Sequence, residues 1–145
     1  MIVPPARRRV LVDTSAYFAL ANPRDASHHA MGRVGERLAA RRYATFTTNF
    51  ILAETHALLL TRARREVALK VLTDIEDSAN IVVRVSARDE RRARAILRSY
   101  SDKDFSLTDA TSFAVMERLG IQNAFTLDHH FEQYGFTIVS AESPL

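Results

Sequence analysis

Four acidic residues stand where a local apolar run meets a turn or a helix start, namely Asp13, Glu54, Asp109 and Asp128. None of them has a basic residue three or four positions along its own predicted helix, so no sequence neighbour neutralises the carboxylate. A carboxylate in apolar surroundings destabilises the fold unless it is paired, protonated or bound to a cation. The shared pattern therefore predicts that these carboxylates form a metal site.

Glu54 provides the strongest argument for this site. Its neighbours one helical turn away in either direction are Phe50, Ile51, Ala57 and Leu58, so the carboxylate is expected to share an apolar stripe. No ordinary structural role explains an acid in that position.

The aspartates have structural alternatives to metal binding. Asp13 is placed to cap the first helix, and Asp128 suits a turn. Ser106 and Asp109 have the spacing of a capping box. Asp104, in a loop, either assists the metal site or is a solvated residue that interacts at most with a helix dipole. The joint placement of the carboxylates, more than any single residue, favours a metal site.

The chemistry of such a site follows from its ligands. Several carboxylates in a chain without cysteine favour Mg²⁺ or Mn²⁺, which prefer oxygen ligands. These ions lower the pKa of water and offset charge on a phosphoryl group. The carboxylates therefore predict metal-assisted phosphodiester hydrolysis.

The histidines do not add an obvious second set of ligands. His28–His29 and His129–His130 are adjacent pairs, whose side chains diverge on a helix and lack the i, i+4 geometry of a paired metal site. His56 lies among leucines and alanine, which favours a core or interface position.

Length and composition favour one globular domain over residues 1–145, because 145 residues with 47% hydrophobic content can bury a core. The absence of cysteine excludes disulfides and thiolate catalysis and permits a reducing compartment. With no secretory h-region and no long apolar run, we expect a cytoplasmic protein.

Arginine dominates the cations, with 18 Arg and two Lys among the 20 basic residues. The arginines cluster at 7–9, 41–42, 62–65 and 88–98. A planar guanidinium suits phosphate oxygens better than an ammonium does. Solvated helix faces are the alternative for any one cluster, but together with an acidic site the clusters favour a polyanionic substrate.

The elements that must position these residues alternate along the chain. Strands are predicted at 10–12, 44–48, 81–85, 124–127 and 136–139. Helices are predicted at 13–20, 25–41, 49–60, 64–79, 88–100 and 107–119. Asn49 is the predicted cap of the third helix. This alternation predicts an α/β fold around a mainly parallel sheet. Ligands of such sheets gather at the carboxyl ends of the strands, where Asp13 and Asp128 are expected.

The chain resembles the PIN-domain nucleases, and in particular the VapC-type toxins of toxin–antitoxin systems. The resemblance rests on four segments, which span most of the chain: Val12-Asp13-Thr14-Ser15, Ala53-Glu54, Ser106-Leu-Thr-Asp109-Ala-Thr-Ser112-Phe-Ala-Val-Met116 and Thr126-Leu-Asp128-His-His-Phe131. By this resemblance, Asp13, Glu54, Asp109 and Asp128 are the acidic metal-site residues and Asp104 is a supporting acid. Thr14, Ser15 or Ser112 would supply nearby hydroxyls.

The resemblance implies a PIN-like three-layer α/β/α sandwich and a Mg²⁺- or Mn²⁺-dependent endoribonuclease that leaves a 5′-phosphate. It also implies a homodimer that is inhibited by a small cognate antitoxin. A housekeeping RNA-processing PIN nuclease without an antitoxin is the alternative within the family. A noncatalytic RNA-binding module would explain the arginines but not Glu54.

Overall fold

The centre of the protein is a five-stranded sheet in which all neighbouring strands run parallel. The computed structural model describes residues 8–145, so Arg7 of the first arginine cluster lies outside the described residues. The strands are β1 (Arg9–Val12), β2 (Ala44–Thr48), β3 (Ile81–Val83), β4 (Asn123–Phe125) and β5 (Thr137–Ile138). They lie in the order β3-β2-β1-β4-β5.

Helices connect each strand to the next, as parallel pairing requires. Within residues 8–145 they are α1 (Thr14–Ala21), α2 (His28–Ala40), α3 (Asn49–Arg62), α4 (Arg65–Asp77), α5 (Ala87–Ser99), α6 (Leu107–Leu119) and α7 (His130–Tyr134). No helix in this part of the chain is both long and apolar enough to cross a membrane.

The connections build two helical layers around the sheet. Right-handed crossovers place α1–α4 on one face and α5–α7 on the other. In agreement, α1 packs against α2, α3 and α4, and α6 packs against α5 and α7, while α3 and α6 also contact each other. Val10 and Leu11 of the central strand are fully buried because both faces of β1 are covered. The predicted three-layer α/β/α fold is confirmed.

The direction of strand addition reverses beside β1. The chain adds β2 and then β3 on one side of β1 and returns to add β4 and β5 on the other side. The carboxyl ends of β1 and β4 form the switch point, where open parallel sheets bind ligands. Asp13 directly follows β1, and Thr126 and Asp128 follow β4. Sheet order therefore brings together side chains that are more than a hundred residues apart.

Some local predictions need correction. Thr48, not Asn49, caps α3, because its hydroxyl accepts a 3.1 Å hydrogen bond from the backbone N–H of Ile51. The side chain of Asn49 instead accepts a 2.8 Å bond from the backbone N–H of Val85 after β3. The edge strands β3 and β5 are shorter than predicted, and α7 is an additional helix that the apolar pattern did not indicate.

Candidate metal centre

Asp13 lies at the end of the central strand and begins the turn into α1. Only 4% of Asp13 is exposed, and its side chain makes no capping hydrogen bond to α1. Its Oδ2 instead accepts a 2.9 Å bond from the hydroxyl of Thr126. Burial, with smaller contributions from the charges of Asp109 and Glu54, raises the pKa of Asp13 to about 6 despite this hydrogen bond. Asp13 is therefore the N-cap residue of α1 by position, but its side chain lies near other acids instead of capping the helix.

Hydroxyl groups connect Asp13 to the loop after β4. The Ser15 hydroxyl lies 3.3 Å from Oδ2 of Asp13 and 3.0 Å from the hydroxyl of Thr126. It also accepts a 2.9 Å bond from the backbone N–H of Leu127. The Thr126 hydroxyl accepts a further 2.9 Å bond from the backbone N–H of Asp128. These bonds hold the loop that carries Asp128 beside Asp13.

Asp109 belongs to both a helix cap and the acidic cluster. Its backbone N–H donates a 3.0 Å bond to the Ser106 hydroxyl, and its Oδ2 accepts a 3.0 Å bond from the Ser106 N–H. This is the predicted capping box at the start of α6. Asp109 is nevertheless 8% exposed; burial raises its pKa, and the charge of Asp128 raises that pKa further. The cap thus fixes the position of a carboxylate that lies next to a second acid.

Asp128 occupies the turn between β4 and α7. Its Oδ1 accepts a 2.9 Å bond from the backbone N–H of His130, which is the expected role of an aspartate in a turn. The same Oδ1 lies 3.1 Å from Nδ1 of His130. This Nδ1 also lies 3.2 Å from Oδ2 of Asp109. One potential ligand atom from each of Asp109, Asp128 and His130 lies within 4.8 Å of the others.

Aromatic packing holds His130 in this position. Its ring packs edge-to-face on Phe105, with the ring centroids 5.4 Å apart. Phe105 packs in the same way on Phe113 of α6, at 5.1 Å. Phe113 contacts Phe131 edge-to-face at 5.1 Å and stacks on Tyr134 at 4.6 Å. These rings join α7 to α6 and thereby bring His130 to the carboxylate of Asp109.

The position of Glu54 differs from the sequence interpretation. Ile51, Thr55 and Leu59 form the buried face of α3, and Glu54 is exposed. Successive helix residues are rotated by about 100°, so Glu54 and the buried Thr55 face different directions. The argument from an apolar stripe is therefore wrong for Glu54. Its charge still raises the pKa of Asp13, which places Glu54 within electrostatic range of the other acids.

The supporting residues occupy different environments. Asp104 is exposed and is not part of the cluster of potential metal ligands found within residues 8–145. The hydroxyl of Thr14 accepts a 3.4 Å bond from Thr55, which connects α1 to α3. The hydroxyl of Ser112 is buried and has no hydrogen-bond partner in the described chain. Among the three predicted hydroxyls, Ser15 contacts the acidic cluster directly.

Sequence reasoning missed Thr126 and His130. It gave the His129–His130 pair no role in a metal site because it considered only two histidines on one helix. A usable signal was the i, i+2 spacing of Thr126, Asp128 and His130 after a strand. The side chains of Thr126 and Asp128 each accept a 2.9 Å bond from the backbone N–H two residues further on, which is the local turn that Thr and Asp favour. The structure places all three side chains around the acidic cluster.

This donor set fits a hard divalent cation. Burial and mutual repulsion disfavour the charged forms of Asp13 and Asp109, whereas a cation among them would favour those forms. Nδ1 of His130 is buried beside two carboxylates without a hydrogen-bond partner in the described chain. Carboxylate oxygens are the usual protein ligands of Mg²⁺ and Mn²⁺. The arrangement is chemically suited to bind such an ion and to present it to a phosphate group.

Comparison with known proteins identifies relatives over nearly the full chain. Residues 10–137 match the PIN domain family. The chain is 35% identical over 133 residues to the 23S rRNA-specific endonuclease VapC20 of Mycobacterium tuberculosis, a match that covers 92% of this chain and 99% of that protein.

Solved structures agree with the sequence comparison. The crystal structure of Mycobacterium tuberculosis VapC20, a toxin that cleaves the sarcin-ricin loop, superimposes with a TM-score of 0.84 at 34% identity. That match covers 90% of this chain and 98% of the VapC20 chain. A toxin–antitoxin complex from Klebsiella pneumoniae contains a chain with a TM-score of 0.61 at 14% identity, covering 92% of this chain and 98% of that one. The second likeness concerns the fold alone.

Proposed function

The chain belongs to the PIN-domain family, and on that premise we propose that it is a divalent-metal-dependent endoribonuclease. It would act as one domain over residues 1–145 and as the toxin of a type II toxin–antitoxin pair. The observation that carries this proposal is the convergence of Asp13, Asp109 and Asp128 at the switch point of the sheet. Burying repelling carboxylates destabilises a fold, and a cation offsets that repulsion.

In the proposed mechanism, Asp13, Asp109 and Asp128 would hold Mg²⁺ or Mn²⁺, and the exposed Glu54, whose charge reaches Asp13, would contribute a fourth carboxylate. When bound, the ion makes water a better nucleophile at neutral pH and offsets the charge of the phosphodiester. Hydrolysis adds water at phosphorus, breaks the bond to the 3′ oxygen and leaves a 5′-phosphate and a 3′-hydroxyl.

Hydrogen bonds orient the carboxylates for this role. The Thr126 hydroxyl donates its single proton to Oδ2 of Asp13, and this bond fixes the orientation of the carboxylate. The Ser106 N–H fixes the Asp109 carboxylate, and the His130 N–H fixes that of Asp128. The site is thus held by backbone and hydroxyl donors that need not move when an ion binds.

Arginines on α5 support an RNA substrate. Arg88, Arg91, Arg94 and Arg98 are exposed and form no ion pair within residues 8–145. Arg92, by contrast, is held by Glu117 at 3.1 Å. Unpaired guanidinium groups are available to contact phosphate oxygens and release counterions. We therefore assign the RNA backbone to the α5 surface.

The comparison with VapC20 supports 23S ribosomal RNA as the substrate to test first. A toxin that cleaves ribosomal RNA would act in the cytoplasm and require a cognate antitoxin. We further propose a homodimer, because α3 and α4 leave Leu60 and Leu69 47% and 49% exposed. A gene for a small DNA-binding protein immediately upstream would distinguish the toxin from a housekeeping PIN nuclease.

Asp109→Asn tests the proposed activity. The change removes one charge while the amide oxygen can still accept the Ser106 bond, so the capping box should survive. We expect ribosomal RNA cleavage in Mg²⁺ or Mn²⁺ to fall by about a hundredfold or more, with an unchanged circular dichroism spectrum. Asp102→Asn is the matched control, because Asp102 is exposed and, within residues 8–145, pairs only with Lys103 at 3.0 Å. Cleavage by Asp109→Asn at the wild-type rate would contradict the proposal.

A further inference from the structure

His130 is in an unusual position for a histidine beside two acids. Its Nδ1 lies 3.1 Å from Oδ1 of Asp128 and 3.2 Å from Oδ2 of Asp109. This nitrogen is buried, yet it has no partner with hydrogen-bond geometry among the described residues. An N–H group directs its single proton along one line, so it cannot serve both oxygens well. No hydrogen bond of normal geometry within residues 8–145 therefore explains the position of the ring.

The distances match those between neighbouring ligands of one metal ion. Mg²⁺ binds oxygen at about 2.1 Å in an octahedron, so adjacent ligand atoms are about 3 Å apart. The two distances from Nδ1 of His130 are of this size. All three potential ligand atoms also lie within 4.8 Å of one another, which accommodates opposite as well as adjacent positions on an octahedron.

The surroundings restrict the ring to this position. The backbone N–H of His130 is bound to Asp128, and the ring packs edge-to-face on the buried Phe105. The neighbouring Phe131 is fully buried, which anchors α7 on the core. A side chain held in this way loses little conformational freedom on binding an ion.

We propose that Nδ1 of His130 is a ligand of the divalent ion, together with the carboxylates of Asp109 and Asp128. This inference rests on the proposed metal-dependent function and adds a nitrogen donor to an otherwise acidic site. A neutral imidazole that binds through Nδ1 carries its proton on Nε2. Because imidazole suits transition metals better than Mg²⁺, His130 makes the site selective for Mn²⁺ over Mg²⁺.

His130→Ala removes the nitrogen donor, and His129→Ala is the matched control. His129 is the adjacent residue, is exposed and is absent from the ligand cluster found in residues 8–145. Its ring lies 4.6 Å from that of His130, so this variant also tests for the loss of packing on the His130 ring. Calorimetric titration of the chelator-treated protein with Mn²⁺ and with Mg²⁺ measures both affinities. We expect His130→Ala to weaken Mn²⁺ binding by about tenfold or more. Even the loss of a residue that only hydrogen-bonds to a metal ligand weakens metal binding by about 10- to 100-fold. Mg²⁺ binding should weaken less, and His129→Ala should match the wild type.

Pulsed electron paramagnetic resonance of the Mn²⁺-loaded protein provides a direct readout. A ¹⁴N coupling to Mn²⁺ should be present in the wild type and in His129→Ala and absent in His130→Ala. Mn²⁺ binding without that coupling in the wild type, or a coupling that survives in His130→Ala, would overturn the assignment of His130. If the wild type binds neither ion, the proposed metal-dependent function itself fails. The two failures are therefore distinguishable.

Discussion

Asp13→Asn should stabilise the metal-free protein at neutral pH even though it removes a proposed metal ligand. Burial, together with the charges of Asp109 and Glu54, raises the pKa of Asp13 from its ordinary value of 3.8 to about 6. Ionising such a carboxyl lowers the free energy of unfolding by about 3 kcal/mol at pH 7. Asparagine carries no charge and retains an oxygen that can accept the Thr126 bond. Its buried amide N–H₂ offsets the gain by about 1–3 kcal/mol if it finds no acceptor.

The pH dependence separates the charge effect from the amide effect. Between pH 3.8 and about 6 the folded protein retains the Asp13 proton that the unfolded chain has lost. This contribution to stability is therefore fully present below pH 3.8 and is lost as pH rises through about 6. Asp13→Asn lacks this titration, whereas the cost of an unpaired amide is the same at every pH. Relative to the wild type, the variant should gain about 3 kcal/mol between acidic and neutral pH.

Urea unfolding followed by circular dichroism, in chelator and across this pH range, measures the difference. Asp89→Asn is the control, because hydrogen bonds of 2.8 and 2.9 Å from Arg118 lower the pKa of Asp89. Above about pH 5 Asp89 is ionised in both the folded and the unfolded state, so its stability difference from the wild type should stay constant from there to neutral pH. A constant difference for Asp13→Asn as well would refute the inference that burial and neighbouring acids disfavour the ionised form of Asp13.

Three further predictions concern the metal, RNA and the dimer. A divalent ion at a hundred times its Kd should stabilise the wild type by about 2.7 kcal/mol and Asp128→Asn by less; equal shifts in thermal melts would contradict a shared site. Arg94→Glu should weaken RNA binding and reduce the salt slope of log K by about 0.7 per lost phosphate contact, whereas Arg33→Glu on the opposite layer should not. Equal slopes for the two variants would remove α5 from the RNA surface. Leu69→Glu should convert a sedimenting dimer into a monomer, and a wild type that is monomeric at concentrations on the order of tens of micromolar would contradict the dimer.

Local sequence pattern was sufficient to predict most of the fold. The bounds of α6 match the predicted helix from Leu107 to Leu119, because an apolar run between a capping box and Gly120 defines both ends. Gly120 has a positive φ of 67°, which a glycine adopts without strain. The placement of Asp13 and Asp128 after strands was also predicted from neighbouring residues alone. Each of these features depends on interactions within a few positions along the chain.

Sequence pattern was insufficient where a residue's surroundings come from distant elements. The apolar neighbours of Glu54 suggested burial, but the side of α3 that packs on the protein is the one that carries Thr55. Asn49 has a side chain suited to capping, yet a backbone N–H after β3 binds it and Thr48 caps the helix. In both cases tertiary contacts, which the local pattern does not contain, decided between two acceptable local arrangements.

The amino-acid sequence by itself determined which residues carry charge and which strand or helix presents each one. Only the tertiary structure decided that Thr126 would bind Asp13 and that His130 would lie between Asp109 and Asp128. The physical reason is the order of the strands. Because β4 pairs with β1 on the side away from β2, the loop after β4 reaches the end of β1, and packing of α7 on α6 then brings His130 to the carboxylates.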